Sequence, residues 1–113
     1  MLSEEEKKAF KNQGIRDAFK VVGEYSFYLE WDDDFKIIKI RLEESIDGKI
    51  QYVQSHYIKT PAQASHSTPS RSWGGAADDA LKRAVDTVMS YYSEAIKAGH
   101  KPNDDWFVKN MQY

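Results

Sequence analysis

Six residues on β-patterned segments could act together: Tyr28, Lys39, Arg41, Tyr52, Gln54 and His56. Two tyrosine rings can stack on a flat partner or on bases, while the basic groups meet carboxylates or phosphates. A second group, His66, Arg71 and Trp73, lies in "IKTPAQASHSTPSRSWGG", where no acidic residue occurs from Lys59 to Ala77. Both groups suit binding better than catalysis. The chain has no G-x-S-x-G elbow, no Walker loop and no G-x-G-x-x-G motif. Lys39 and His56, neighbours on the expected sheet face, form the best-placed acid and base. Ser65, His66 and Ser67 with a distant aspartate would be a triad only in the sense that any serine-rich loop permits one.

Metal chemistry has little footing. Asp32 to Asp34 lack the glycine and distant glutamate of an EF-hand loop, and Phe35 and Lys36 follow instead. His56, His66 and His100 have no i, i+4 zinc spacing, and His100 suits a helix-end cation. No metal or cofactor is expected.

The elements that must position these residues can be read from spacing. Ser3 with Glu6 makes a capping box. Phe10, Ile15, Ala18, Phe19 and Val22 carry an apolar stripe onward, so the spacing predicts N-terminal helix reaching Gly23, either one helix with a weak joint at Gly14 or two divided there. Tyr25, Phe27, Leu29 and Trp31 alternate with Ser26, Tyr28 and Glu30, which is a half-buried strand. Ile38, Ile40 and Leu42 define the inner face of a second. A four-residue loop, Asp32 to Phe35, would match the faces and bring Tyr28 beside Lys39.

Asp47-Gly48 predicts a two-residue type I′ hairpin into a third strand, "KIQYVQSHYI". In that register Leu42 meets Val53, Ile40 meets Ser55 and Ile38 meets Tyr57 on the inside. Tyr52, Gln54 and His56 then point outward beside Glu43, Arg41 and Lys39. The loop of residues 59–75 is expected to cross without regular structure, anchored by Trp73. Beyond it, Ala77, Leu81, Ala84, Val85, Val88, Tyr92, Ala95 and Ile96 form the stripe of an amphipathic helix, closed by Gly99 and Pro102. Trp106 and Val108 are expected to dock as a short last strand.

The expected fold is a two-layer α+β domain spanning residues 1–113. Its antiparallel sheet has three or four strands, with an N-terminal and a C-terminal helix on one face. At 113 residues, with 41% apolar and 13% aromatic content, the chain can bury a core unaided. Sixteen basic against 18 acidic residues leave a net charge of −2, which disfavours nucleic acid as the partner. The absence of cysteine removes disulfides, thiolate catalysis and cysteine-bound zinc. "MLSEEEKKAF" has no signal-peptide pattern and no apolar run approaches 18 residues, so a cytoplasmic location away from membranes is expected.

The segment "SRSWGGAADDALKRAVDTVMSYYSEAIKAGHKP" resembles the strand-to-helix segment of the HicB family of antitoxins. Asp78, Asp79, Ala80, Leu81, Ala84, Tyr91, Tyr92, Gly99 and Pro102 carry the likeness, which covers about a quarter of the chain. The long N-terminal helix, the Ser/Thr/Pro loop and the lack of an appended DNA-binding region depart from that family. The resemblance implies an inhibitor that binds a partner protein. The order helix, three strands, helix is also that of double-stranded-RNA-binding domains, but those put lysines where Asp78 and Asp79 stand here.

These features predict a non-catalytic interaction module. Its partner would be another protein or a second copy, bound through the open sheet face and the 59–75 loop. The alternative is a small-ligand protein or enzyme with a pocket between sheet and loop, lined by His56, Tyr57 and Trp73.

Overall fold

The structure, a computed structural model, describes residues 2–15, 18–63, 70–73, 76–111 and 113, with residues 70–73 described in their backbone. The order of elements is α1 (Glu4–Ala9), β1 (Phe19–Trp31), β2 (Asp34–Ser45), β3 (Ile50–Gln54), β4 (His56–Ile58), β5 (Ser70–Trp73), α2 (Ala77–Lys97), a 3₁₀ turn (Asp104–Trp106) and β6 (Phe107–Lys109). The fold is α+β. One antiparallel sheet runs β1-β2-β3-β5, and β4 pairs with β6 in a second.

The capping box forms as expected: Ser3 Oγ accepts from Glu6 N at 3.1 Å, and Glu6 Oε1 accepts from Ser3 N at 3.0 Å. The helix it starts is only six residues long and buries none of them, so among the described residues the expected second covering helix does not form. Instead Leu2, buried beside it, donates its N–H to Glu44, and Glu6 pairs with Lys20 at 3.0 Å. The apolar residues taken for a helical stripe divide differently. Phe10 and Ile15 lie in a turn region after α1, and Phe19 opens β1. Aromatic and β-branched residues dominate from Phe19 to Trp31 and prefer the pleated surface. A bulge between Val21 and Gly23 resets the alternation, which is why the spacing there imitated a helix.

The first hairpin is tighter than expected. Trp31 pairs with Asp34 across a two-residue turn, with Asp32 at φ 47°. Two residues and four have the same parity, so the faces are as read from the sequence, but partners shift by two. Tyr28 opposes Ile37, and Ser26 opposes Lys39.

The second hairpin corrects the register. Ser45 N donates to Lys49 O at 2.8 Å and Gly48 N to Ser45 O at 3.0 Å, closing a three-residue loop, Ile46 to Gly48. Gly48 sits at φ 87°, a conformation glycine adopts freely, as the last residue of such loops requires. One extra loop residue moves every partner by one: Leu42 meets Tyr52 and Ile40 meets Gln54. Tyr52 and Gln54 are therefore buried, at 3% and 0% exposure, and do not belong to the outer face.

Helix α2 covers the inner face of the sheet. Ala80, Ala84, Val88, Tyr92 and Ala95 are buried, while Ile96 is exposed. At its end His100 N donates to Ala95 O and Gly99 N to Ile96 O, with Gly99 at φ 91°, the Schellman closure that the glycine foretold. One core cluster joins Ile40, Leu42, Ile50 and Tyr52 to Ala80 and Ala84. The other joins Leu29, Ile38 and Ile58 to Val88, Tyr92, Trp106 and Phe107. Gln54 donates to Ala84 O at 2.9 Å from within the core. In the tail Trp106 and Phe107 dock, with Phe107 stacked on Trp31 at 5.7 Å, but Val108 stays exposed.

The expected structureless crossover is also corrected. Its first part forms a turn: Gln63 N donates to Thr60 O, and Gln63 Oε1 accepts from Thr60 N. Its last part, β5, adds a fourth strand against β3, pairing Ile50 with Trp73 and Tyr52 with Arg71. Residues 64–69 lie outside the described residues. No helix among the described residues is long and apolar enough to cross a membrane.

The register can be checked by mutation. Tyr52→Ala empties a core site and is expected to cost about 3–5 kcal/mol, the range for large aromatics. Val53→Ala, on the other face, should cost under about 1 kcal/mol. Urea unfolding of both variants would reverse this order if the two-residue hairpin were correct.

Candidate functional site

The chain leaves β3 at Ser55, and this residue builds the floor of the site. Its N–H donates to Lys39 O at 2.9 Å, its Oγ accepts from Lys39 N at 2.8 Å, and its carbonyl accepts from Asn110 N at 2.8 Å. One residue thus ends one sheet and begins the other. Asn110, 4% exposed, fixes the junction from the tail side. Its Nδ2 donates to Gln54 O and its Oδ1 accepts from Tyr57 OH, both at 2.8 Å.

Around this junction the outer face has a cleft of about 350 Å³. Lys39 reaches it from β2, Ser55 and His56 from the β3–β4 junction, and Lys109, Met111 and Tyr113 from the tail. Ile37 supplies an apolar wall. Lys39, Lys109 and His56 line the cleft, and no Asp or Glu among the described residues does. It suits a negatively charged group with a small apolar body.

His56 Nδ1 lies 2.8 Å from Ser55 Oγ. Burial holds the His56 pKa below its ordinary value of 6.5; the Lys36 and Lys109 charges push the same way, and Asp104 opposes them. The ring is neutral at pH 7, a hydrogen-bonding group more than a charge. Lys36 is itself bound to Asp104.

Arg41 is turned to another use. It pairs with Glu43 at 3.0 Å and lies under the Tyr113 ring, 4.6 Å from its centroid, while Glu43 also accepts from Gln51 Nε2 at 2.7 Å. Burial raises the Tyr113 hydroxyl pKa, with Arg41 opposing and Glu24 assisting. The tail ring therefore roofs part of the face that had been expected to lie open. Farther along, Tyr28 is 65% exposed and packs edge-on against Phe35, itself 53% exposed, with centroids 6.1 Å apart.

Of the residues singled out in the sequence, the structure brings Lys39 and His56 into the cleft, turns Arg41 to Glu43 and Tyr113, and leaves Tyr28 nearer the hairpin tip. Tyr52 and Gln54 are in the core. The expected pocket of His56, Tyr57 and Trp73 falls partly outside the described residues, which include neither the side chains of Arg71 and Trp73 nor any of His66; Tyr57 bonds Asn110. Lys109, Asn110 and Tyr113 were missed. The tail's aromatic content had signalled docking, but only the β4–β6 pairing shows where. Among the described residues no group of three or more His, Asp or Glu side chains could hold a metal ion.

The lowered His56 pKa sets a sign for acid stability. As pH falls below about 6.5, the unfolded chain takes the proton before the fold does, so the stability this site contributes is complete above that value and declines below it. Unfolding curves between pH 7.5 and 5 should show a smaller acid loss for His56→Gln than for the wild type. Parallel losses would mean that the folded imidazole protonates as freely as the unfolded one.

No protein-family model, curated protein or solved structure matches the chain, so the chemistry of this face carries the functional assignment.

Proposed function

We propose that the protein is a non-catalytic interaction module that binds a partner protein through the outer face of its sheet. The observation that carries this reading is the adjoining of two unlike surfaces. The exposed Tyr28–Phe35 pair can fill a partner's apolar hollow, and the acid-free cleft of Lys39, His56 and Lys109 can take an acidic side chain. Aromatic anchors beside a charged rim are how protein interfaces combine affinity with orientation. An antitoxin-like inhibitor is one form of such a module. The 59–75 loop joins the proposal through β5, whose backbone extends the sheet.

Cross-linking capture from the host extract tests it. Wild type should retain a specific partner, and Tyr28→Ala with Phe35→Ala, or Lys39→Glu with Lys109→Glu, should weaken it by roughly tenfold or more, the scale of a lost anchor. Lys82→Ala on the far side of α2 should change nothing. Identical capture by all four proteins would remove the proposal.

A second reading follows from the cleft volume, which falls in the range of small-molecule sites. The cleft would then hold a small carboxylate or phosphate between Lys39 and Lys109. A thermal-shift screen of such anions, with stabilisation lost in Lys39→Ala, supports this reading; no shift with any of them removes it.

A further inference from the structure

We infer that the free edge of β1 pairs antiparallel with the same strand of a second copy, joining two sheets into one about a two-fold axis at Ser26. This edge adjoins the outer face proposed for the partner protein and shares Tyr28 with it, but it includes none of the cleft residues Lys39, His56 and Lys109.

The edge is long and open. β1 has 13 residues, is the terminal strand of its sheet, and pairs only with β2 among the described residues. An exposed edge is a row of unpaired N–H and C=O groups that templates another strand unless something blunts it. Here the blunting devices sit at one end. Lys20 and the bulge after Val21 guard the start, whereas Gly23 to Trp31, "GEYSFYLEW", holds no proline, no lysine and no bulge. Side chains along the edge are exposed where a monomer would bury them: Val22 37%, Tyr25 44% and Tyr28 65%. Helix α2 packs mainly on β2, β3 and β4 and shares a core cluster with Leu29 of β1, while Tyr25 on the inner side stays exposed.

The run also selects its own register. Antiparallel pairing about a two-fold axis must put a residue opposite itself, and like charges opposite each other are unfavourable. An axis at Glu24 sets that glutamate against its copy. An axis at Phe27 sets Glu24 against Glu30, and one at Tyr28 sets Glu24 against Asp32 of the turn. An axis at Tyr25 reaches the bulge after two pairs. An axis at Ser26 gives seven uninterrupted positions: Ser26 meets Ser26, Tyr25 meets Phe27, Glu24 meets Tyr28 and Gly23 meets Leu29. Two aromatic pairs then flank the axis on the inner side, the kind of cross-strand pair that stabilises sheets most. On the outer side, the glutamate lies against an aromatic ring.

Because the chain has no cysteine, cross-linking reads the register directly. Ser26→Cys under mild oxidation should form a disulfide dimer. Tyr28→Cys should not, since its copy would lie four residues along the strand, beyond disulfide reach. Sedimentation velocity of the wild type at 100 μM should give twice the monomer mass. Ser26→Lys, which places two ammonium groups at the axis on a solvent-exposed position, should give the monomer with an unchanged circular dichroism spectrum. A monomeric wild type, or equal cross-linking at 26 and 28, would overturn the inference. Loss of the dimer in Ser26→Lys with retained partner capture would separate it from the outer-face proposal.

Discussion

The arrangement depends on one residue that serves two sheets. Ser55 offers its N–H and Oγ to Lys39 and its carbonyl to Asn110, so β2 and the tail are both keyed to it. Its hydroxyl replaces the backbone carbonyl that would have answered Lys39 N in a continued ladder, which lets the chain turn away without stranding a buried amide. From there β4 leaves to pair with β6, and Asn110 closes the gap by bonding Gln54 O and Tyr57 OH. A buried polar network of this kind is rigid when satisfied. Lys39, His56 and Lys109 are brought together by backbone pairing, not by a loop, so the cleft is preformed.

The parity of two turns decides which residues can serve. A two-residue loop at Asp32-Asp33 and the expected four-residue loop present the same faces, so Tyr28, Lys39 and Arg41 point outward in either case. The Asp47-Gly48 turn is less forgiving. Asp-Gly suits a two-residue loop and also the end of a three-residue one, and only long-range packing decides between them. With the extra residue, Tyr52 joins Ile40, Leu42 and Ile50 beneath α2, and Gln54 reaches Ala84 O. The pair Tyr52 and Gln54 thus moved from candidate site to core through one backbone residue.

What could be read locally was read correctly: the Ser3 capping box, the alternation from Tyr25 to Trp31, and the helix closed by Gly99. Those features report on neighbours within a few residues. The N-terminal helix expected to reach Gly23 stops at Ala9: Ile15 and Ala18 precede β1, Phe19 and Val22 lie within it, and the bulge between Val21 and Gly23 breaks the alternation, so these four fit a helical period without forming a helix. The second sheet was illegible for another reason. His56 finds Lys109 more than 50 positions away, and three-residue strands carry too little pattern to announce such a pairing.

Length then explains why so much apolar surface remains outside. Helix α2, at 21 residues, is about 32 Å long. β1, at 13 residues, spans about 43 Å, and the molecule is drawn out to 53 × 25 × 24 Å. One helix cannot cover a ribbon longer than itself while also packing on β3 and β4. The surplus on the inner face is the first half of β1, where Tyr25 stands exposed; Tyr28 and Phe35 are exposed because they lie on the outer face, which α2 does not cover. Charge is distributed with the same unevenness. The whole chain carries −2, yet its glutamates are drawn to partners, Glu43 to Arg41 and Glu6 to Lys20, and the cleft beside Ser55 is left positive. A partner approaching within a Debye length responds to that local field, not to the net charge. The total charge argued against nucleic acid as the partner, yet the cleft gathers Lys39, His56 and Lys109 in one place.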